Sequence, residues 1–330
     1  MKLEEAIEKY GIKVPTDAEF YSDEYRDYFE NNIRTKELIE KFSKYEEFHM
    51  MYLKSFYITF SKAHKELQKE RKTIANSEAV VLGGQAGAGK GGLAILAKKE
   101  FEAQGKAIFL IDDDEYRKCY PKEKREELLQ KCPEYYTKIT AIGSSSITPK
   151  IMKYASDNGL NFIFDGTMKN PRIIETAMTW DDYKINWKVM ATSKLESLIS
   201  AFERNDKLRE KQDCRFITVD VHNETYSGLA STVMNLESMG NIGKIQVYTR
   251  GEKPEEPKLV YDSTVQNQRY RTAVSALLGA REENKKLCMQ KGVSKRIQDL
   301  KNADIPRNDA ELEALEELEQ SVNEEIRRER

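Results

Sequence analysis

A glycine-rich stretch constrains the fold of this chain more than any other feature. An apolar run at residues 79–82 ends in two glycines, and residues 85–92 continue as QAGAGKGG. Beyond this stretch, apolar residues recur at helical spacing until Gly105. Strand, tight loop and helix together match the P-loop pattern G-x-x-x-x-G-K-[ST] at every position except the last, where Gly91 replaces serine or threonine.

This loop predicts a binding site for ATP or GTP. Glycines let backbone N–H groups converge on a polyphosphate without clashes from Cβ atoms, and the start of the following helix attracts anions. The ammonium group of Lys90 can reach the outer phosphates as a point charge. The predicted nucleotide-binding residues are Gly84, Gln85, Ala86, Gly87, Ala88, Gly89, Lys90, Gly91 and Gly92.

The departure at Gly91 concerns Mg²⁺. In a P-loop, the serine or threonine at this position places its hydroxyl group on the Mg²⁺ ion of the nucleotide, and glycine has no hydroxyl. Another group or water must then hold the ion, and the sequence leaves the metal ligands open. A nucleotide-binding module with impaired catalysis is therefore an alternative to an enzyme.

Acidic residues follow two further buried strands. Residues 107–111 form a continuous apolar run that ends in Asp112, Asp113 and Asp114. Residues 161–164 form another predicted strand, and Asp165 follows it. Because ligands bind at the carboxyl ends of parallel strands, these acids are expected to face the phosphate site. One of them can serve as a general base and another can orient Mg²⁺ or its waters, although Asp113 or Asp114 could instead cap the next helix.

Two arginines flank a charged segment after a predicted amphipathic helix. Apolar residues from Leu195 to Phe202 recur at the spacing of one helical face, and Arg204 stands at the end of the pattern. A polar segment at residues 205–213 follows, and then Arg215. Such a segment can act as a lid that brings guanidinium groups onto a transferring phosphoryl group. A solvated charged helix is the alternative.

The composition excludes several classes of function. The chain of 330 residues is 33% charged with a net charge of -2, so it lacks the basic footprint of a nucleic-acid-binding surface. Its four cysteines show no C-x-x-C spacing, which favours reduced cytosolic thiols over disulfides or a zinc site. We find no apolar run of membrane-spanning length and no signal-peptide pattern. The chain is therefore predicted to be cytoplasmic and to bind neither membranes nor nucleic acids.

The order of these patterns predicts an α/β fold. We expect a P-loop NTPase-type doubly wound parallel sheet with helical extensions at both ends. The predicted regions are a helical N-terminal extension at 1–76, a P-loop kinase domain at 77–262 and a charged helical region at 263–330. The N-terminal extension either packs on the domain or docks over the nucleotide site as an inhibitory arm.

The ordered motifs resemble the zeta toxin family of UDP-N-acetylglucosamine kinases. The resemblance covers about residues 77–262 and includes the loop at residues 82–90. It also includes the I-D-x-D strand end at residues 111–114 and the segment at residues 165–167, which is similar to the family's E-G-T. Arg204 and Arg215 are similar to the family's lid arginines. Five pieces in the same order are more specific than a P-loop alone.

The resemblance implies a role for each of these residues. Asp114 would be the general base that accepts the proton of the sugar 3′-hydroxyl, while Lys90, Arg204 and Arg215 would neutralise the phosphoryl charge. The implied substrate-binding residues are Asp112, Asp165, Thr167 and Lys169. The resemblance also implies a toxin of a toxin–antitoxin system whose nucleotide site is blocked by an antitoxin protein or, in this chain, by its own N-terminal helices.

Three departures from the family pattern leave the acceptor open. Gly91 lacks the hydroxyl group, Asp165 is one methylene shorter than glutamate, and Lys169 stands where the family often has an arginine, whose bidentate contact a lysine does not make. A P-loop kinase that acts on another hydroxyl, including a polynucleotide 5′ end, is therefore a second hypothesis. The near-neutral net charge argues against a polynucleotide.

Overall fold

Six strands form one mixed sheet in the computed structural model of this chain. The structure describes residues 77–117, 125–126, 129–130, 136, 140, 148–149, 151–153, 155–180, 182–209, 216–240, 242–253, 256–290, 292–305, 307 and 309–328. The predicted N-terminal extension at residues 1–76 lies outside the described residues. The strands are β1 (Glu78–Gly83), β2 (Phe109–Asp112), β3 (Phe162–Asp165), β4 (Lys184–Met190), β5 (Lys244–Thr249) and β6 (Lys258–Asp262).

Strand β1 lies in the middle of the sheet, whose strand order is β2–β3–β1–β4–β5–β6. It pairs in parallel with β3 on one side and with β4 on the other, and β4 pairs in parallel with β5. Among the described pairings, only that of β6 with β5 is antiparallel. The predicted doubly wound, mostly parallel sheet is therefore confirmed, and the glycine loop leaves it at the centre of its carboxyl edge.

Helices connect and flank these strands. Their bounds are α1 (Lys90–Ala103), α2 (Asp113–Arg117), α3 (Arg172–Ala177), α4 (Lys194–Arg209), α5 (Val219–Met239), α6 (Ala273–Gln290), α7 (Val293–Asn302) and α8 (Asp309–Arg328). The described residues fall into two compact units. The smaller unit includes the described residues of 111–158, and the larger unit includes the described residues of 77–110 and 159–328.

Apolar packing fixes both ends of the glycine loop. The side chains of Val80 and Leu82 in β1 are buried in a cluster with Leu93, Ala97 and Phe101 of α1. Alanine at position 97 lets the helix lie close to the strand because its side chain is small. Removal of this apolar surface from water stabilises the strand–helix pair at about 25 cal/mol per Å². The loop between them therefore starts and ends on rigid elements.

The C-terminal helices pack against α4. A buried cluster joins one face of α4 to α7 and α8, and its members include Leu198, Ile199, Phe202, Ile297, Leu315, Leu318 and Val322. Ion pairs border the cluster: Arg296 contacts Glu203 at 2.8 Å and Arg307 contacts Asp206 at 2.7 Å. The predicted C-terminal helices thus cover the helix that carries Arg204.

Among the described residues, no helix combines the length with the apolar character that a membrane span requires.

The contact between α8 and α4 predicts unequal effects of two leucine substitutions in the same helix. Leu318 is 0% exposed within the cluster, whereas Leu312 is 48% exposed. Leu318→Ala is expected to lower the free energy of unfolding by about 2–5 kcal/mol because it leaves a cavity. The matched control Leu312→Ala is expected to change it by less than about 1 kcal/mol. Urea unfolding at neutral pH measures both, and equal effects would contradict the packing of α8 on α4.

Candidate nucleotide-binding site

The glycine loop turns tightly against the backbone of α4. Gly87 has a φ of 70°, and a Cβ atom at this position would lie 2.0 Å from the carbonyl oxygen of Ser197. Gly89 precedes α1 with a φ of 103°. Side chains are strained at such φ values, so glycine is required for the turn and for the close approach. The Ala88 N–H closes the turn by donating to the Gln85 carbonyl at 3.0 Å.

Buried polar side chains support the loop from within the protein. Gln85 is fully buried, and its Nε2 donates to the Thr192 carbonyl and to Ser197 Oγ, both at 2.9 Å. Ser197 Oγ donates to the Ser193 carbonyl at 2.7 Å, and it lies 3.0 Å from His222 Nε2. Because the hydroxyl proton of Ser197 is already used, His222 is assigned the tautomer that donates from Nε2.

Burial keeps the imidazole of His222 neutral. The pKa of His222 is lowered to about 4, first by burial and then by the charges of Lys194 and Arg281, although contacts with Asn223 and the Ala86 backbone act in the opposite direction. The group is therefore uncharged at neutral pH. It holds the loop by hydrogen bonding and does not exchange a proton there.

Lys90 lies at the first position of α1, and its side chain runs back along the loop. A Cβ atom on Gly84 would lie 3.0 Å from Lys90 Cγ. Among the described residues, no hydrogen bond or ion pair is recorded for the Lys90 ammonium group. This predicted site residue can therefore meet an anion at the start of α1, where backbone N–H groups also favour negative charge.

The position of Gly91 has room for a side chain. A Cβ atom there would meet no atom within 4 Å. Glycine supplies no side-chain oxygen for Mg²⁺. The described residues contain no cluster of three or more His, Cys, Asp or Glu side chains suited to a metal ion. The residues described fit a nucleotide phosphate better than they fit the metal ion that would accompany it.

The loop after β3 is joined to the start of the glycine loop. Asp165 lies beside Leu82 in the sheet, and the Gly84 N–H donates to the Thr167 carbonyl at 3.3 Å. The buried side chain of Met168 packs under the glycine loop. The structure therefore brings Asp165 and Thr167 to the predicted nucleotide-binding loop. The exposed side chain of Lys169 forms an ion pair with Glu224 at 2.6 Å.

Arg204 lies on the stripe of α4 that faces the glycine loop. A Cβ atom on Gly87 would lie 2.7 Å from the Ala201 backbone nitrogen as well as close to Ser197. Arg204 follows these two residues at helical spacings of three and seven positions, so it shares their face one turn further along. Its predicted lid role stays a prediction, and Arg215 lies outside the described residues.

The beginning of the predicted lid segment is anchored helix. Residues 205–209 continue α4. The buried side chain of Asn205 donates to Glu311 at 3.2 Å, and Asp206 pairs with Arg307. These residues are helical, as the alternative of a charged helix expects, but Asn205 and Asp206 contact the C-terminal residues Glu311 and Arg307, whereas Lys207 is exposed.

The acidic residues after β2 belong to the smaller compact unit. Asp112 caps α2, because its Oδ1 accepts the Asp114 N–H at 2.9 Å. The carboxylate of Asp114 pairs with Arg117 at 2.9 Å, and Asp113 accepts the Thr148 hydroxyl at 2.8 Å. The capping residue is Asp112, not Asp113 or Asp114. The role of Asp114 as a general base stays a prediction.

Sequence reasoning missed Arg250, which contacts the glycine loop directly. Its Nε donates to the Ala88 carbonyl at 3.2 Å, and its Nη2 donates to the Gly87 carbonyl. Its Nη1 donates to Glu196 at 2.6 Å and to Ser200 at 3.0 Å. Arg250 immediately follows β5, so the rule that singled out acids after β2 and β3 would have found it if we had applied it to basic residues.

Comparisons with known proteins agree with this geometry. The sequence model of the zeta toxin family matches residues 62–266. Toxin zeta of Streptococcus agalactiae is 26% identical over 202 residues, which cover 60% of this chain and 69% of that protein. Toxin PezT of Streptococcus pneumoniae serotype 4 is 25% identical over 206 residues, which cover 60% of this chain and 77% of that protein.

A solved structure shares the fold. It comes from a study of the PezAT chromosomal toxin–antitoxin system of Streptococcus pneumoniae, and it matches with a TM-score of 0.58 at 22% identity. The match covers 76% of this chain and 98% of that chain. The sequence identity is low, so this likeness concerns the fold alone.

The buried imidazole predicts a pH dependence of stability. In the unfolded chain His222 takes up a proton near pH 6.5, whereas in the folded protein it does so only near pH 4. Between these pH values the unfolded state binds more protons than the folded state. The contribution of His222 to the free energy of unfolding is therefore fully present above pH 6.5 and is lost as the pH falls towards 4. We expect His222→Gln, which keeps an amide donor near Ser197, to reduce this loss by at most about 1.4 kcal/mol per pH unit. Urea unfolding across this range measures the slope, and identical slopes would contradict a neutral buried imidazole.

Proposed function

Because the chain belongs to the zeta toxin family, we propose that it is a kinase that transfers the γ-phosphoryl group of ATP or GTP to a hydroxyl group of a small molecule. The observation that carries this proposal is the P-loop geometry with the side chain of Lys90 directed back along it. Phosphoryl transfer needs little covalent help, so a loop that positions the phosphates and cations that neutralise them can supply most of the rate.

Each cationic residue has a distinct place in the proposed reaction. Lys90 and the backbone N–H groups at the start of α1 hold the outer phosphates. Arg204 approaches from the face of α4 that packs against Gly87, and Arg215 would join it from the lid. Mg²⁺, when bound with the nucleotide, would neutralise charge on the phosphates. In the transfer, a bond forms between the acceptor oxygen and the γ-phosphorus, and the bond from that phosphorus to the β–γ bridging oxygen breaks.

We propose the 3′-hydroxyl of the sugar of UDP-N-acetylglucosamine as the acceptor. Asp114 would take the proton of this hydroxyl, a role that is typically worth a factor of about 10²–10⁴ in rate. Asp165 and Thr167 are proposed to hold the nucleotide-sugar, since Asp165 ends β3 and Thr167 lies in the loop after it, beside the glycine loop. Asp112 and Lys169 complete the proposed acceptor site.

The biological role that we propose is that of a toxin in a toxin–antitoxin system. The relatives named Toxin zeta and Toxin PezT support it. Phosphorylation of a nucleotide-sugar would remove a precursor of the cell wall. An antitoxin protein is the proposed partner, with residues 1–76 as a built-in substitute. A cytoplasmic location follows from these proposed substrates.

A phosphotransfer assay on the full chain tests the proposal. With labelled ATP or GTP, Mg²⁺ and UDP-N-acetylglucosamine, the wild-type protein is expected to form a phosphorylated nucleotide-sugar, and Lys90→Ala is not. Asp114→Asn is expected to lower the transfer rate by about 100-fold or more while nucleotide binding is kept, because only proton removal is lost.

The controls separate the possible failures. An unchanged transfer rate in Asp114→Asn would remove this residue from the role of base. Transfer to a polynucleotide 5′ end, with none to the nucleotide-sugar, would favour the alternative acceptor. Nucleotide binding by the wild-type protein without transfer to either acceptor would overturn the assignment as a kinase of these substrates.

A nucleotide-binding module with impaired catalysis is the second candidate, and Gly91 is the observation that favours it. Gly91 supplies no side-chain oxygen to Mg²⁺ at the position where a P-loop normally has a hydroxyl group. The open space around Gly91 makes the question testable, because serine fits there without displacing any described atom.

Gly91→Ser is expected to lower the Mg²⁺ concentration that gives half-maximal transfer by on the order of tenfold, because it restores one oxygen ligand. Gly91→Ala is the matched control, since it changes the helix propensity by a similar amount and adds no oxygen. Rates measured across a Mg²⁺ titration give the answer. An activity that appears only in Gly91→Ser would favour the impaired module, and equal midpoints in the three proteins would show that other groups hold the ion.

A further inference from the structure

We propose that Arg250 is a positioning residue of the P-loop, which holds the Ala88–Gly89 peptide so that the Gly89 N–H faces the bound phosphate. The inference rests on the proposed nucleotide-dependent function and adds a residue to it from outside the P-loop sequence. Arg250 acts through the loop backbone, so it is not assigned a contact with the substrate.

The carbonyl of Ala88 is held from two sides. Thr192 Oγ1 donates to it at 2.7 Å, and Arg250 Nε donates to it at 3.2 Å. The carbonyl of Gly87 accepts a further hydrogen bond from Arg250 Nη2. Two successive carbonyls of the loop therefore point towards the same guanidinium group.

Because the peptide bond is planar, the contacts of a carbonyl group also fix the direction of the next N–H group. In a trans peptide the C=O and N–H groups point in opposite directions. An Ala88 carbonyl that points to Thr192 and Arg250 therefore turns the Gly89 N–H away from both. Within the described part of the chain no acceptor is recorded for this N–H, whereas the Ala88 N–H is used by the Gln85 carbonyl. The Gly89 N–H is thus a donor of this turn that is available to a ligand.

Arg250 is itself fixed by a chain of charged groups. Glu196 lies 2.6 Å from Arg250 Nη1, and the other oxygen of Glu196 lies 2.7 Å from Arg296 of α7. Arg296 is held in turn by Glu203 at 2.8 Å. The charge of Arg250 is therefore compensated by Glu196, and four of its five N–H donors bond to Glu196, Ser200 and the two loop carbonyls. Arg250 is therefore placed to support the loop backbone and not to bind phosphate itself.

The geometry of the guanidinium group distinguishes this role from a general positive charge. Arg250 reaches two carbonyls and a carboxylate at once, which a planar fork of donors permits. A lysine carries the same charge but lacks the fork, so it would satisfy a role in charge neutralisation and fail in the role of a support. Arg250→Lys therefore separates the two explanations.

Inorganic tripolyphosphate is the probe, because it occupies the phosphate site without a base or sugar. Isothermal titration of the full chain is expected to show binding that both Arg250→Gln and Arg250→Lys weaken by at least about tenfold. Arg307→Gln is the matched control: it removes another arginine ion pair of α4, with Asp206, away from the loop. Its affinity is expected to stay within about twofold of the wild type, and thermal unfolding checks that all variants are folded.

Selective isotope labelling observes the proposed donor itself. The chain contains only two Ala-Gly pairs, Ala86–Gly87 and Ala88–Gly89. A sample with ¹³C-carbonyl alanine and ¹⁵N-glycine therefore shows the amides of Gly87 and Gly89 alone. Tripolyphosphate is expected to move the Gly89 signal downfield in the wild type and to move it less in Arg250→Gln.

Thr192→Val removes the other donor to the Ala88 carbonyl. This variant serves if the Arg250 variants do not fold, and a reduced shift of the Gly89 signal is again expected.

Each outcome decides the inference. Wild-type affinity in Arg250→Lys would show that charge alone suffices and would overturn it. An unchanged affinity and Gly89 shift in Arg250→Gln would also overturn it and would leave the proposed kinase function intact. Absence of tripolyphosphate binding by the wild type would overturn both.

Discussion

The direct contact between the glycine loop and the backbone of α4 is the constraint on which the rest of the site depends. It exists because Gly87 has no Cβ atom, so that the loop can approach the Ser197 carbonyl. With the two backbones in contact, the side chains of Gln85 and His222 are buried and both lie within hydrogen-bond distance of Ser197 Oγ. Close packing of this kind leaves the loop few alternative conformations, which is what a preorganised phosphate site requires.

The C-terminal helices also support the contact between the glycine loop and α4. They bury one face of α4 and place Arg296 against Glu196, and Glu196 in turn faces Arg250 at the loop. A charged sequence such as residues 263–330 has the composition of a solvated appendage. In the structure its apolar stripe and a few of its arginines instead hold the helix that carries Arg204. The described part of the region therefore packs on α4 as part of the same core.

Several features of the protein follow from local sequence. The apolar runs, the glycine spacing and the helical periodicities depend on residues that are close in the chain, and the structure contains the corresponding strands and helices. The strand-end position of Asp165 was predictable for the same reason, because the carboxyl ends of parallel strands share one edge. The alternative in which Asp113 or Asp114 caps α2 is wrong by one or two positions, because the exact start of a short helix depends on its final hydrogen bonds.

The sequence by itself therefore determined the fold class, the glycine loop between β1 and α1, and the position of Asp165 at the carboxyl edge of the sheet. Only the tertiary structure decided how that loop is supported. Arg250 and Ala88 are 162 residues apart, and the neutral state of His222 results from its burial rather than from its neighbours in the chain. No local pattern encodes these properties, because hydrogen bonds between distant segments and the loss of hydration exist only once the helices have packed on the sheet.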